Sequence, residues 1–501
     1  MQELIKKKHE IINIFLKKGV LISSEILEKL NDEEQSKKIF DIVSQMPLDS
    51  AVLDLDIEKL LNGQNQEREK IKTEGTKQET NQNRINVKVS YKDRPKKWTT
   101  QDFVDYYNLK YKGIEKILKQ HQELKATVSL NRIQNKKDKE PVSVIGMVNE
   151  KQITKNGNLM LTVEDQTGRM KVIINKNKPS LFNTAKDIVH DEVIGILGVA
   201  VGNFIFANEL VWPDTPVTGD LKKLDRESHA IFLSDLHVGS SKFLPEDFDK
   251  FLKWINGEMG NEQQRHIANN IDYIFIAGDL VDGCGIYPGQ DKELEIKDIY
   301  EQYKECARLL KKIPGHIPLI ICPGNHDALR ISEPQPILSK TYAKPMHELN
   351  NAIMVSNPSL INISSSENFS GFDVLMYHGY SFDYYFANVD YLRTNGGYDR
   401  PDLIMKFLLK RRHLAPTHTS TLYLPDPQKD SLVIDTVPDF LLSGHIHKSS
   451  TSNYHNTTMI CGSCWQGKTA FQEKVGHNPE PSRVPIVNLK TRDVKILKFG
   501  Q

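Results

Sequence analysis

A run of apolar residues changes abruptly into a polar loop at residues 319–327, which read Leu-Ile-Ile-Cys-Pro-Gly-Asn-His-Asp. The apolar part, Leu319 to Cys322, has the length and composition of a strand that is buried on both faces. The loop then offers Asn325, His326 and Asp327, whose side chains can hold a metal ion or move a proton. Open α/β sheets bind their ligands at such strand ends. This segment therefore predicts an α/β domain with a functional site at the carboxyl ends of its strands.

The same arrangement occurs at four other places after residue 219. In each of them a short apolar run is followed within three residues by Asp, His or both. The four runs with their loops are Ile231–His237, Tyr273–Gly283, Val374–Gly379 and Phe440–His447. One such loop alone is more often a plain turn than a ligand site, but five in order make that interpretation improbable. We expect the five loops to converge on one site.

The residue types in these loops indicate which ligand the site takes. Asp, Asn and neutral His supply oxygen and imidazole donors without a thiolate, which favours divalent manganese, magnesium, iron or zinc over copper(I) or an iron–sulfur cluster. Two ions that share one carboxylate would each have four protein ligands and room for water. Such a pair activates water for phosphoryl displacement, so the chain needs no side-chain nucleophile and forms no covalent phospho-enzyme.

The five loops resemble the motif set of the calcineurin-like metallophosphoesterase superfamily, which reads D-x-H, G-D-x-x-D, G-N-H-D, H-G and G-H-x-H. The resemblance implies two metal ions, with Asp279 as the bridge between them. The implied ligands of the first ion are Asp235, His237, Asp279 and His447. The implied ligands of the second ion are Asp279, Asn325, His378 and His445.

The same resemblance implies two catalytic residues in the loop quoted first. His326 would stabilise the charge of the transition state or protonate the leaving oxygen. Asp327 would orient His326 from behind. No organic cofactor is implied.

Residues 123–215 carry a different pattern, with five β-type runs and one helical segment. The runs are Val142–Val148, Leu159–Val163, Met170–Ile174, Val193–Val201 and Phe204–Val211, with the helical segment at Leu181–Ile188. The last two strands pair across Gly202-Asn203, a strong hairpin signal. Three strands, a helix and two strands is the order of a five-stranded OB barrel. Such a barrel often binds oligonucleotides, but it also serves as a packing or docking module.

The remaining segments complete a multidomain organisation. Residues 1–61 have apolar residues at helical spacing and predict an N-terminal helical domain. Residues 62–97, rich in Gln, Asn, Glu, Lys and Arg, predict a flexible charged linker, and residues 98–122 predict a connecting helix. Residues 216–501 form the predicted α/β phosphoesterase domain, a β-sandwich flanked by helices.

Composition bounds the class of protein. The 501 residues include 66 Lys and Arg against 65 Asp and Glu, a net charge of +1, which excludes a uniformly basic nucleic-acid coat. Five cysteines without framework spacing predict free thiols, and Cys461 and Cys464 read as buried thiols more than as half of a zinc site. No leader or apolar run of membrane-spanning length is present, so we expect a cytoplasmic protein.

The order of domains narrows the function. A helical start, a linker, an OB barrel and a phosphoesterase domain resemble the small subunits of archaeal family D DNA polymerases, as do Ala207–Asp214, Trp465-Gln466 and Thr469–Gln472. The resemblance implies a manganese-dependent 3′→5′ proofreading exonuclease that acts on single-stranded or mismatched 3′ ends of DNA beside a large catalytic subunit. The related eukaryotic B subunits have largely lost the metal ligands, whereas all seven are present here, so we expect an active, nucleoid-associated enzyme.

Several alternatives stay open on the sequence alone. The chain could be a non-catalytic docking subunit with structural metals, or a free-standing DNA repair nuclease or phosphodiesterase. Lys410–His413 could contact the DNA backbone, or these basic residues could simply form the C-terminal end of a helix, where the helix dipole favours positive charge. The aromatic segment Asp383–Arg400 could stack unpaired bases or pack against the large subunit.

Overall fold

The computed structural model describes residues 85–93, 96–133, 139–217, 220–426 and 428–500. The predicted helical domain at 1–61 and most of the predicted linker at 62–97 therefore lie outside the described residues. The chain divides into two compact units, one of which contains residues 98–501 together with 80–93. Among the described helices, none combines the length and apolar character needed to cross a bilayer.

Part of the predicted linker is a strand, which corrects the sequence prediction. Strand β1 (Ile85–Ser90) pairs antiparallel with Ser359–Ile363, with Ile85 opposite Ile363. Ile85 packs against one apolar core of the phosphoesterase domain and Val89 against another. The alternation of Ile and Val with polar residues is too short to be distinguished from loop sequence by itself. The segment becomes a strand because a distant sheet edge supplies its hydrogen bonds.

Helix α1 (Thr100–Leu118) connects the two parts of this unit, as predicted for residues 98–122. It begins at a capping box in which Thr99 and Asp102 bond reciprocally. The Tyr111 hydroxyl donates to the backbone carbonyl of Ile145 at 3.0 Å, while the ring of Tyr106 packs on that of Tyr423 with centroids 3.9 Å apart. The helix is therefore held by the barrel on one side and by the phosphoesterase domain on the other.

The predicted β-type runs of residues 123–215 form a closed five-stranded barrel. Its strands are β2 (Glu140–Ile153), β3 (Leu159–Asp165), β4 (Gly168–Ile174), β5 (Val193–Val201) and β6 (Phe204–Val211). The short helices α2 (Leu130–Ile133) and α3 (Pro179–Lys186) precede the barrel and interrupt it. The barrel closes in the order β2-β3-β4-β6-β5, with β4 and β6 parallel and the other pairs antiparallel. Its apolar interior is continuous from Val142 to Trp212.

The phosphoesterase domain contains two six-stranded mixed sheets. Besides β1, their strands are β7 (His229–Leu233), β8 (Ile271–Ala277), β9 (Leu319–Cys322), β10 (Ala352–Met354), β11 (Ser359–Ile363), β12 (Phe372–Met376), β13 (Phe440–Ser443), β14 (Ser450–Tyr454), β15 (Thr457–Cys461), β16 (Arg483–Asn488) and β17 (Val494–Lys498). The first sheet has the order β10-β9-β8-β7-β16-β17, and the second has the order β1-β11-β12-β13-β15-β14.

Helices cover the outer faces of the two sheets. They are α4 (Pro245–Ile255), α5 (Glu262–Asn269), α6 (Ile299–Leu310), α7 (Lys340–His347), α8 (Phe382–Asn388), α9 (Asp390–Thr394) and α10 (Pro401–Arg411). One more helix, α11 (Ala470–Val475), follows β15 in the chain. One buried cluster lies between the sheets, where Phe232 of β7 contacts Phe440 of β13. Two further clusters join the first sheet to α4–α7 and the second to α8–α10. The apolar strands are buried on both faces because each sheet packs against the other sheet on one side and against helices on the other.

The basic end of helix α10 joins the two domains instead of facing DNA. Arg411 donates to the carboxylate of Glu192 at 2.5 Å and to the carbonyl of Asp187, both in or beside the barrel. Arg412 donates to the carbonyl of Ile434, and Lys410 lies over the ring of Trp212. Because Arg411 and Arg412 make these contacts within the protein, the interpretation that they bind the DNA backbone is excluded.

Candidate metal centre

The five polar loops meet at one end of the sandwich. Strands β7, β8 and β9 are parallel neighbours in one sheet, and β12 and β13 are parallel neighbours in the other. Their carboxyl ends therefore point to the same side, and the space between the sheets brings the two sets of loops together. All seven side chains expected to bind metal lie there: Asp235, His237, Asp279, Asn325, His378, His445 and His447.

The first group of donors surrounds His237. Its Nε2 lies 3.0 Å from Nε2 of His447, 3.8 Å from Oδ2 of Asp279 and 4.0 Å from Oδ1 of Asp235. Nε2 of His447 is 3.6 Å from the same oxygen of Asp235. These four residues are the set expected for the first ion.

The second group continues from Asp279. Nε2 of His378 lies 3.3 Å from Oδ2 of Asp279 and 2.9 Å from Oδ1 of Asn325. The same Asn325 oxygen is 3.0 Å from Nδ1 of His445. Asp279 thus belongs to both groups, which is the position that a bridging carboxylate requires.

The backbone is strained where it presents these side chains. Five residues of the two groups have positive φ angles: Asp235 (51°), His237 (50°), Asp279 (50°), His445 (70°) and His447 (55°). Each such non-glycine conformation costs on the order of 1–3 kcal/mol and persists only where the surrounding structure enforces it. Here the left-handed residues turn the chain at the strand ends so that side chains two residues apart face one space.

Two glycines allow the loops to approach the carboxylates. A Cβ at Gly324 would overlap Oδ1 of Asp279, and a Cβ at Gly444 would overlap Oδ2 of Asp235. The backbone N–H of His326 donates to the same Asp279 oxygen at 2.8 Å, and the N–H of His445 donates to Asp235 at 3.0 Å. The glycines therefore let backbone donors hold both carboxylates in place.

Each of three histidines is oriented through its second ring nitrogen. Nδ1 of His237 donates to Oδ1 of Asp282 at 3.0 Å, and Nδ1 of His378 donates to the carbonyl of Ala277 at 2.8 Å. Nε2 of His445 donates to Oδ2 of Asp383 at 3.0 Å. Metal-binding histidines are commonly oriented in this way, with the other nitrogen left for the ion.

Sequence reasoning assigned no role to Asp282 or Asp383. Asp282 is the second Asp of the G-D-x-x-D motif, so the motif itself carried a signal for it. Asp383 lies in the aromatic segment and only the fold brings it to His445, 62 residues away. Two glutamines were also missed, since Gln466 donates to Asp282 at 2.8 Å and the Gln472 amide lies 2.8 Å from Nδ1 of His447.

The structure corrects the role expected of Asp327. Its Oδ2 accepts from the backbone N–H of Gly324 at 2.9 Å, and its Oδ1 accepts from the hydroxyl of Tyr303 at 3.1 Å. His326 is oriented instead by the carbonyl of Asp282, to which its Nδ1 donates at 2.8 Å. Asp327 follows His326 directly in the loop, so its carboxylate turns back to the loop backbone, where it shapes the Gly324 turn.

Protonation of the cluster shows how strongly it attracts positive charge. Burial alone would lower the pKa of His378, but Asp279 outweighs burial and raises the pKa to about 10. At His237 burial also lowers the pKa, but the hydrogen bond to Asp282 outweighs burial and the pKa rises to about 8. Burial and the charge of His237 hold the pKa of His447 well below its ordinary value. At neutral pH the charged form is therefore favoured at His237 and the neutral form at His447.

This donor set fits divalent cations. Two imidazole nitrogens face each other at 3.0 Å, and each of three candidate groups, one of which includes the half-buried His326, has its donor atoms within 4.8 Å of one another. Such clusters favour positive charge between the donors. Bound cations would take the place of the protons on the histidines, so binding would release protons. The buried thiols Cys461 and Cys464 do not join any candidate metal group among the described residues.

The site opens into a pocket of about 260 Å³. Its lining includes His326 and five of the seven donors, together with the aromatic residues Tyr287, Tyr398 and Phe471. The five donors are His237, Asp279, Asn325, His445 and His447. Of the aromatic segment 383–400, Tyr385 and Phe386 are buried in the core, and Tyr398 reaches the pocket. The pocket thus joins a cluster of metal-binding side chains to an aromatic rim.

The chain is similar in sequence to known proteins. The family model described as calcineurin-like phosphoesterase matches residues 229–449. The chain is 39% identical over 399 residues to the DNA polymerase II small subunit of Methanothermobacter thermautotrophicus, covering 80% of this chain and 79% of that protein. It is 39% identical over 393 residues to the small subunit of Methanocaldococcus jannaschii and spans 64% of that longer protein. The small subunit of Archaeoglobus fulgidus is 36% identical over 402 residues, which are 78% of its length.

The similarity extends well beyond the phosphoesterase domain, since 399 aligned residues exceed the 286 residues between position 216 and the end of the chain. The phosphoesterase match also includes all five strand-end loops of the candidate centre. The chain therefore belongs to the family of archaeal DNA polymerase II small subunits, the family D small subunits that its motifs resemble.

Proposed function

We propose that this chain is a metal-dependent 3′→5′ exodeoxyribonuclease that proofreads for a DNA polymerase. The observation that carries the proposal is the arrangement of all seven donors into two groups that share Asp279, with five of the donors lining an open pocket. A working site is expected to keep its donor side chains, the strained backbone that presents them and room for a substrate. A relic scaffold has no need to hold five residues of the site in strained left-handed conformations.

Two divalent ions, with manganese as our first choice, would activate water and neutralise phosphoryl charge when bound. Asp235, His237, Asp279 and His447 would hold one ion, and Asp279, Asn325, His378 and His445 the other. The protein's own contribution is orientation, because Asp282, Asp383 and the Ala277 carbonyl fix three of the imidazole rings.

His326 is the proposed proton donor to the leaving oxygen. Its Nδ1 is engaged by the Asp282 carbonyl, which leaves Nε2 for the pocket. Burial lowers the pKa of His326 in the free protein, and a bound phosphate anion would favour its protonated form. Nε2 then passes its proton to the oxygen that leaves with the shortened strand. Asp327 acts behind it by holding the Gly324 turn.

The decisive experiment uses the full chain with Mn²⁺ and a primer that carries a mismatched 3′ end. A label at the 3′ end should be released as mononucleotide, while a 5′ label should report stepwise shortening. Asp279→Ala should abolish release, and His316→Ala, which alters an exposed histidine remote from the centre, should not. Failure to release label, or equal release by Asp279→Ala, would support the docking-subunit alternative.

We further propose that the barrel is of the OB type and that the chain works beside a large polymerase subunit. The closed order β2-β3-β4-β6-β5 with a helix after β4 supports the first part. The names of the relatives, which are small subunits, support the second. Affinity purification should recover a large polymerase chain, and recovery of the chain alone would favour a free-standing nuclease.

A further inference from the structure

Two aromatic rings form one wall of the metal pocket. The rings of Tyr287 and Phe471 are near-parallel, with centroids 6.4 Å apart and planes inclined at 26°. Phe471 is 56% exposed although it lines a pocket whose floor consists of charged and polar groups. A large apolar side chain left exposed at such a place is an open surface for a flat ligand.

Both rings lie close in sequence to residues that contact the candidate metal ligands. Phe471 precedes Gln472, whose amide contacts His447, and helix α11 is fixed at its start by a capping box between Thr469 and Gln472. Tyr287 lies in the loop that follows Asp282, and its hydroxyl donates to Glu293 at 3.1 Å. The backbone that carries each ring is therefore held near the metal centre, through Gln472 for Phe471 and through Asp282 for Tyr287.

The other aromatic residues of the pocket are already engaged. The ring of Tyr398 packs on His477 with centroids 3.9 Å apart, and its hydroxyl donates to Asp383 at 2.8 Å. Tyr380 meets His445 edge to face. Phe471 is the aromatic residue of this pocket that most exposes its ring.

We propose that Phe471, supported by Tyr287, is the stacking platform for the nucleobase of the nucleotide that is removed. This inference rests on the proposed exonuclease function and adds the substrate feature that the site reads. A base within a duplex has both faces covered by its neighbours, so only an unpaired end can place its base on the ring. Every base has a flat face, so the platform accepts all four and selects for an unpaired terminus.

A matched aromatic pair outside the pocket provides the control. Tyr300 and Tyr342 are 49% and 39% exposed, and their ring centroids lie 5.6 Å apart at 36°. They project from helices α6 and α7 and do not line the metal pocket. Removing one of them tests whether loss of any exposed aromatic pair affects the reaction.

The experiment compares two single-stranded oligonucleotides that differ at the 3′-terminal residue, one with a base and one with an abasic analogue. Wild-type chain with Mn²⁺ should cleave the base-ended strand about tenfold faster, the size expected of one stacked base. Phe471→Leu keeps an apolar side chain and should reduce that ratio to below about two. Phe471→Trp should retain the tenfold ratio, and Tyr342→Ala should match wild type in rates and ratio.

The outcomes separate this inference from the proposed function. A wild-type chain that cleaves both strands equally, or a Phe471→Leu chain that keeps the tenfold ratio, overturns the stacking platform but leaves the exonuclease intact. A wild-type chain that cleaves neither strand overturns the exonuclease and the platform with it. Manganese content is measured for each variant. If the ratio of the two cleavage rates falls only together with the manganese content, a damaged metal centre explains the fall, and that result would also overturn the platform.

Discussion

Nδ1 of His237 donates to Oδ1 of Asp282 at 3.0 Å, and both side chains are almost completely buried. The hydrogen bond fixes the tautomer of His237, so that its Nε2 faces His447 and the two carboxylates. Asp282 also accepts from Gln466, and its carbonyl orients His326. One aspartate thus supports a metal ligand with its carboxylate and the proposed proton donor with its backbone.

Asp282→Ala should weaken manganese binding by about 10–100-fold, the usual effect of removing the carboxylate that orients a metal-binding histidine. Titration calorimetry of the full chain with Mn²⁺ measures the change. Asp249→Ala, which removes an exposed aspartate paired with Lys253, is the matched control and should bind as wild type does. Unchanged affinity in Asp282→Ala would show that His237 needs no such support.

His326→Ala should separate chemistry from metal binding. Because His326 is proposed to move a proton and not to hold an ion, its loss should slow nucleotide release by about 100-fold or more. Bound manganese should stay at the wild-type level, whereas Asp279→Ala should lose both metal and activity. Loss of metal from His326→Ala would instead make His326 a ligand.

The buried ion pair between Arg411 and Glu192 should stabilise the junction of barrel and phosphoesterase domain. Both side chains are at most 5% exposed, so Arg411→Ala would leave a buried carboxylate without its partner. We expect this variant to lose about 3–5 kcal/mol of unfolding free energy, seen as a lower urea midpoint.

The matched control for that pair is the double variant Arg411→Met with Glu192→Met. Replacing both charges by apolar groups removes the desolvation cost together with the attraction, so its midpoint should lie close to that of wild type. A double variant as unstable as Arg411→Ala would mean that packing, and not the unpaired charge, explains the loss.

Glu333 should make the metal-free protein less stable as pH rises. Burial raises the pKa of Glu333 to about 7, and the Tyr377 hydroxyl donates to its Oε2 at 3.1 Å. The folded chain binds this proton more tightly than the unfolded chain does, so the contribution is complete below pH 4.5 and is lost as pH rises through 7. The loss is about 3 kcal/mol at most.

Glu333→Gln cannot ionise and should therefore lose less stability between pH 5 and pH 8 than wild type. Urea unfolding at the two pH values, without metal, measures the difference. Glu305→Gln alters a half-buried glutamate paired with Arg308 and should follow the wild-type profile. The same pH dependence in Glu333→Gln and wild type would contradict a raised pKa at this carboxyl.

Much of the fold follows from local pattern. The bounds predicted for Val193–Val201 and Phe204–Val211 agree with those of β5 and β6, and the helix predicted from Thr100 is α1. Period-two and period-3.6 spacing of apolar residues reports local burial, which is why these elements are readable. Strand β1 was missed because its pairing partner lies more than 260 residues further along the chain.

The sequence by itself determined the chemistry of this protein: seven donors without thiolates, each set placed just after an apolar run, and the family to which the chain belongs. Only the tertiary structure decided how those donors are held. It placed Asp383 against His445, turned Asp327 toward the Gly324 backbone, and used Arg411 to join two domains. The reason is physical, because donor types and apolar periodicity are local properties of the chain. Hydrogen bonds between residues as far apart as Glu192 and Arg411 exist only after distant segments have packed.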